Sequence, residues 1–262
     1  MFFYRVAGYL KYKLRARHRK GHGIHSPFIF DVVSVTFRNK SVGEFVLMIE
    51  MLRKEALRSK ISIEINDLGA GSVITKGNKR KVSEIARYSA VPRKYGILLA
   101  SLASRFGGGS IVELGTSLGI SSMYMAGGSV SSTVYTMEGS GEVVAIARNN
   151  FKRGGFQNIH LLEGSFSDMI PVIKEKGISP GLVFIDGDHR KEAVLENFGR
   201  MAEIAGNDTV IVIDDIHLSP GMEEAWNQIR DYRNVSSTID IWRMGIVFFR
   251  KGMSRSNYVI RY

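Results

Sequence analysis

The chain of 262 residues contains no cysteine. Disulfides, thiolate metal sites and cysteine nucleophiles are therefore excluded, although the absence is weak evidence about compartment. No stretch reaches the roughly 18 apolar residues that a bilayer span requires. Arg5 also interrupts the apolar start "MFFYRVAGYL" before it could act as a signal-peptide core. These absences lead to the expectation of a soluble, unexported, cytoplasmic protein. Repeats and low-complexity tracts are missing too. What is present, 44% hydrophobic and 23% charged residues, is enough for a large core in one domain or one domain with an extension.

Acidic residues are scarce at one end. Residues 1–30 contain no Asp or Glu, and residues 1–109 carry 21 Lys/Arg against 7 Asp/Glu, while residues 110–262 carry 15 against 18. A net of +14 followed by a net of −3 accounts for the total of +11. A basic half suits an anionic partner: nucleic acid, a membrane surface or an acidic substrate. A solvated basic face kept for solubility explains it equally well.

From Gly109 onward, strand-like and helix-like segments alternate. "SIVEL", "STVYTME", "NIHLLEG", "GLVFIDG" and "DTVIVIDD" are each followed by a segment with apolar residues at helical spacing. Near-continuous apolar strands of this kind belong to a parallel sheet covered on both faces. The tail, "STIDIWRMG" then "IVFFRKG", reads as a closing antiparallel hairpin. The expected fold is α/β, a doubly wound and mostly parallel seven-stranded sheet ending in that hairpin. Residues 1–90 read as a basic, mainly helical extension, and residues 91–262 as the sheet domain.

Two glycine loops compete for a ligand, "INDLGAGS" (65–72) and "VELGTSLG" (112–119). The first has the tighter Gly-x-Gly, but no second strand follows it. The second is followed by "VYTME", whose Glu138 is placed to accept both hydroxyls of a ribose at the end of the next strand. The later strands end in "FIDGDH" and "VIDDIH", so Asp186, Asp188, Asp214 and Asp215 should converge beyond the carboxyl ends of the sheet. Such a group suits Mg²⁺, Mn²⁺ or Ca²⁺. Alternatively, Asp188 and Asp215 cap the helices that follow.

From about Val91 to Lys251 the chain resembles the class I S-adenosylmethionine-dependent methyltransferases, and within them the metal-dependent small-molecule O-methyltransferases. "VELGTSLGISSMYMA", "YTMEGSGEVVAIARNNFKRGG" and "LLEGSFSDMIP" are similar to the catechol and caffeoyl-coenzyme A enzymes. "VFIDGDHRKEAVLENF" and "VIVIDDIH" are closer to the sugar O-methyltransferases of antibiotic biosynthesis. The resemblance implies S-adenosylmethionine, with Glu113, Gly115 and Ser121 on its methionine side and Thr116, Ser117 and Gly119 in the same loop. Glu138 would bind its ribose, and Gly164, Phe166, Ser167 and Asp168 would flank its adenine. Asp186 falls on a position that serves both cofactor and metal, and Asp186, Asp214 and Asp215 on the positions that hold a divalent cation, Mg²⁺ first. The catechol enzymes have Asn where this chain has Asp215, which moves the acceptor away from simple catechols. The two analogies name different general bases, His189 or Asp188, and His217 is a third candidate.

The expected reaction is methylation of a hydroxyl on a small acceptor, an anionic one if the basic loop with Lys76, Lys79, Arg80 and Lys81 covers the site. A nucleic-acid methyltransferase using the basic arm, and a cofactor-binding module without turnover, are the alternatives. A homodimer is also compatible with the sequence.

Overall fold

The structure is a computed structural model and describes residues 2–16, 23–39, 43–65 and 79–262. The basic segment supplies α1 (Phe2–Arg15), α2 (Pro27–Ser34), α3 (Glu44–Arg58), α4 (Val82–Tyr88) and α5 (Arg93–Phe106). Between α3 and α4 lie two short strands, β1 (Ser62–Glu64) and β2 (Lys79–Lys81), paired antiparallel. Three-residue strands, one of them Lys-Arg-Lys, have no periodicity to read, so the sequence of this mainly helical segment gives no sign of them. Among the described residues no helix is long and apolar enough to cross a membrane.

The expected alternation follows: β3 (Ser110–Leu114), α6 (Ile120–Gly128), β4 (Thr133–Glu138), α7 (Gly141–Gly154), β5 (Ile159–Glu163), α8 (Phe166–Glu175), β6 (Leu182–Ile185), α9 (Lys191–Ile204), β7 (Val210–Ile213) and α10 (Pro220–Arg230). The hairpin strands β8 (Ser237–Asp240) and β9 (Gly245–Phe248) close the sheet, and β10 (Ser256–Val259) adds an eighth strand to the seven expected. The sheet order is β10-β8-β9-β7-β6-β3-β4-β5. Pairs β3–β4, β4–β5 and β6–β7 are parallel, whereas β9 runs antiparallel to both β7 and β8. Every residue of β6 and β7 is buried, as a strand covered on both faces must be. β10 is a partly exposed edge strand, "SNYV", parallel to β8, and its polar start gave no strand signal.

The chain divides into two compact units, residues 1–39 with 179–262, and residues 40–178. In the first, α1 is seated by aromatic and hydrogen-bond contacts. The Tyr12 hydroxyl donates to the Ile260 carbonyl at 2.6 Å, the Tyr4 hydroxyl donates to Glu223, and the Tyr9 and Tyr12 rings lie 5.4 and 5.6 Å from the Trp242 ring. In the second unit α6 is the central helix, with every residue from Ile120 to Ala126 buried. Its Tyr124 hydroxyl donates to Glu50 of α3 at 2.8 Å, so the one polar end of that buried ring is satisfied.

Helices α5 and α6 meet at backbone contact. A Cβ built on Gly128 would lie 2.2 Å from the Ala100 carbonyl oxygen and 2.6 Å from its Cα, and backbone cannot swing aside as a side chain can. Gly199, within α9, has nothing within 4 Å of such a Cβ. Gly128→Ala should therefore destabilise by about 1–3 kcal/mol through overpacking. Gly199→Ala should stabilise by about 0.5–1 kcal/mol through helix propensity. Urea unfolding of the two variants checks the opposite signs.

Candidate active site

The strand-end acids gather in two places, one in each unit. In the unit of residues 40–178, β3 ends in Glu113 and Leu114 and turns through Gly115 to Gly119 into α6. Gly119 has φ +79°, and a Cβ there would lie 2.3 Å from the Phe151 ring, so only glycine closes this turn. The loop is braced from α7, where Asn150 donates to the Leu118 carbonyl at 2.9 Å. Ser117 also has positive φ, 49°, and its backbone N–H donates to Glu138 at 3.0 Å. The Ser140 N–H donates to the other oxygen of the same carboxylate at 3.1 Å. Glu138 is half-buried at the end of β4, each oxygen anchored by one backbone donor. Its orientation is thus set before any ligand arrives.

Glu113 is fully buried. Ser122 and Thr136 donate to its Oε2, the latter at 2.6 Å, and Thr116 shares a 2.6 Å hydrogen bond with Thr136. Among the described residues, no hydrogen-bond partner reaches Oε1. Burial raises the Glu113 pKa to about 7, against the lowering effect of hydrogen bonds from Ser121, Ser122 and Thr136. Beyond β5, the Gly164 N–H donates to the Glu138 carbonyl at 2.9 Å, which joins the start of the β5–α8 connection to the end of β4. Ser165 caps α8 by accepting from the Asp168 N–H at 3.2 Å and donates to the Asp168 carboxylate at 2.5 Å. Phe166 is half-buried there, and Ser167 and Asp168 are exposed.

Most of "INDLGAGS", and Lys76, lie outside the described residues. The strands on either side of them are described. The Glu64 N–H of β1 donates to Glu142 in the first turn of α7 at 2.7 Å. Lys79, Arg80 and Lys81 form β2, with Lys79 3.7 Å from Glu64. Strand β1 is therefore tied to α7 four residues past Glu138.

In the unit of residues 1–39 and 179–262, β6 runs into Asp186 and β7 into Asp214 and Asp215. Asp214 is fully buried, and Arg243, from the turn between β8 and β9, takes its carboxylate in a fork. Arg243 Nε donates to Oδ1 at 2.9 Å and Oδ2 at 3.1 Å, and Nη2 donates to Oδ2 at 2.6 Å. Nη2 also lies 3.9 Å from Asp215. Burial works against the charge on Arg243, but Asp214 and then Asp215 outweigh it and hold the guanidinium pKa above its ordinary value. Arg243 had no signal in the sequence beyond its place in a hairpin turn.

The three candidate bases have different partners. Asp188, at φ 51°, is held by both Nε and Nη2 of Arg190 at 2.7 and 2.5 Å. His217 Nε2 is 2.8 Å from Asp240, and its ring stacks on Trp242 at 4.7 Å. His189 Nε2 is 3.7 Å from Asp186, and 29% of the His189 side chain is exposed. Trp242, Asp240, Ser140, Thr136 and Ser122 join Arg243 as site residues that spacing alone did not reveal.

Glu113 gives a pH test. Its folded pKa of about 7 lies above the ordinary glutamate value of 4.5, so the folded state binds the proton more tightly. Its contribution is therefore complete below about pH 4.5 and is lost as pH rises through about 7. Glu113→Gln should remove this loss. The stability gap between the variant and the parent should shift in the variant's favour by about 2–4 kcal/mol from pH 5 to pH 8, measured by urea unfolding.

Residues 112–216 match the family model described as a methyltransferase domain. Among solved structures, cofactor-bound Rv0187 from MTB is 18% identical, with a TM-score of 0.59 over 86% of this chain and 96% of that one. The O-methyltransferase from Bacillus cereus in complex with SAH is 18% identical, with a TM-score of 0.57 over 82% and 94%. The O-methyltransferase TomG from Streptomyces achromogenes, in complex with SAM, is 20% identical, with a TM-score of 0.54 over 62% and 82%. No curated protein matches the sequence. At such identities the structural likeness is one of fold, and the family match covers the segment with the glycine loop, Glu138 and the aspartates. Residues 112–216 are thus similar to a methyltransferase domain, and the chain has the fold of these solved O-methyltransferases.

Proposed function

We propose that the protein is an S-adenosylmethionine-dependent O-methyltransferase acting on a small, anionic, hydroxylated acceptor. The observation that carries the reading is the Glu138 carboxylate, held at the end of β4 by the backbone N–H groups of Ser117 and Ser140. A carboxylate fixed in this way at a strand end is already oriented toward a ribose and loses little freedom on binding one. That the solved O-methyltransferases of this fold carry SAM or SAH in their structures supports the choice.

When bound, S-adenosylmethionine supplies a methyl group whose bond to the sulfonium breaks as a bond to the acceptor oxygen forms, the electron pair remaining on sulfur. The acceptor hydroxyl must lose a proton, and we assign its removal to His189. Asp188 is neutralised by Arg190, and His217 is engaged by Asp240 and Trp242, whereas the imidazole of His189 is partly open to solvent beside Asp186. An anionic acceptor is favoured by the basic strand β2, whose partner β1 is tied to α7 just past Glu138.

Titration calorimetry with S-adenosylhomocysteine tests the cofactor reading. The wild-type chain should bind it, and Glu138→Ala should weaken binding about 10- to 100-fold, the value of lost hydrogen bonds to a charged acceptor. His189→Ala should bind it normally while turnover on hydroxylated acceptors falls by about 10²- to 10⁴-fold. Unchanged affinity in Glu138→Ala would sink the cofactor placement.

A further inference from the structure

Three aspartates stand where the resemblance places the ligands of a divalent cation, but their geometry does not suit one. Arg243 Nη2 lies 2.6 Å from Asp214 Oδ2 and 3.9 Å from Asp215 Oδ1. A divalent cation bonded to the same oxygen at about 2.0–2.6 Å would have to compete with that nitrogen for the carboxylate and would face the guanidinium charge at close range. Both oxygens of Asp214 already accept from the guanidinium, and Asp188 is turned to Arg190. Among the described residues no three His, Asp or Glu side chains are grouped so as to hold a metal. The cation is instead supplied by the chain. The turn that delivers it is fixed by the Ile216 N–H donating to the Arg243 carbonyl at 3.2 Å and the Trp242 N–H donating to Asp240 at 2.7 Å.

We propose that Arg243 is the resident cation of this aspartate cluster and that methyl transfer by this chain needs no divalent metal. The proposal rests on the O-methyltransferase reading above. A guanidinium neither dissociates nor loses its proton in a protein, so the charge it places beside Asp214 and Asp215 is permanent. Mn²⁺ is the probe, followed by electron paramagnetic resonance and by calorimetry on the full chain. Wild type should show no stoichiometric Mn²⁺ site, and its thermal midpoint and turnover should be unaffected by EDTA. Arg243→Met should create a Mn²⁺ site that Arg243→Met/Asp214→Asn lacks. Stoichiometric Mn²⁺ binding to wild type that Asp214→Asn abolishes overturns the proposal, and this holds whether or not the Arg243 variant folds. S-adenosylhomocysteine binding is measured separately, so a failure of the methyltransferase reading appears there and not in the Mn²⁺ signal.

Helix α1 carries an independent inference. One face is seated in its unit through Tyr4, Tyr12 and Gly8, the last so close to Trp242 that a Cβ would lie 2.8 Å from the ring. Another face bears Val6, Leu10 and Leu14 at intervals of four residues, 42%, 57% and 82% exposed. The outer face of a surface helix is ordinarily polar. Arg5, Lys11, Lys13 and Arg15 lie on the same helix, and residues 1–30 contain no acid to offset them. Apolar side chains on a helix that also bears four cations match the boundary of a bilayer with anionic headgroups.

We infer that this face of α1 docks the protein on an anionic membrane surface. The full chain should pellet with vesicles of phosphatidylglycerol and phosphatidylcholine, stay in solution with phosphatidylcholine alone, and be released by high salt. Leu14→Asp, at the most exposed position of the stripe, should weaken pelleting at least about tenfold, the loss expected for one buried leucine. Absence of pelleting, equal pelleting of Leu14→Asp, or retention of RNA in place of vesicles overturns the inference.

Discussion

A parallel strand covered on both faces can carry charge only where it ends. β6 and β7 are buried at every position, and the first residues able to ionise are those just past their last apolar side chains, Asp186 and Asp214. β4 obeys the same rule with Glu138. β3 is the exception, because Glu113 lies one residue inside the strand and has no access to water. It is accommodated by hydroxyls from the neighbouring strand and helix and by a proton retained to about pH 7. The distribution of acids at the sheet's carboxyl end is thus a result of burial as much as of function, and the chemistry is built from what burial allows there.

The same constraint decides what could be read from the sequence. The placement of Glu138 and the aspartates at strand ends was legible because each terminates an apolar run, and a run's end is a local property. The choice of "VELGTSLG" over the tighter "INDLGAGS" depended on the strand that follows, which is local too. Arg243 was not legible, since its partner Asp214 is 29 residues away and nothing in "IWRMG" says which way the guanidinium turns. The pairing of His217 with Asp240 and Trp242 is invisible for the same reason. Strands β1, β2 and β10 escaped notice because segments of three or four residues that are polar or half exposed have no alternation to detect.

Non-glycine residues with positive φ mark where the backbone is bent to serve a side chain. Four occur among the described residues, Ser117, Asp188, Asp215 and Trp242. Ser117 turns its N–H to Glu138, and Trp242 sits between Asp240 and Arg243. Asp188 and Asp215 follow the ends of β6 and β7. Such conformations cost of order 1–3 kcal/mol each and persist only where the surroundings enforce them. Here the surroundings are rigid: buried strands on one side and hydrogen-bonded carboxylates on the other.

The enclosure of α6 has a thermodynamic consequence. A helix buried at every position from Ile120 to Ala126 leaves the glycine loop that precedes it no independent motion, and Asn150 holds the loop from behind. Within that loop the Ser117 N–H is already committed to Glu138. Association at this site therefore forfeits little conformational entropy from the protein. Whatever ordering a ligand does impose must fall on other segments, so selectivity among acceptors and tightness of cofactor retention are separable properties of this chain.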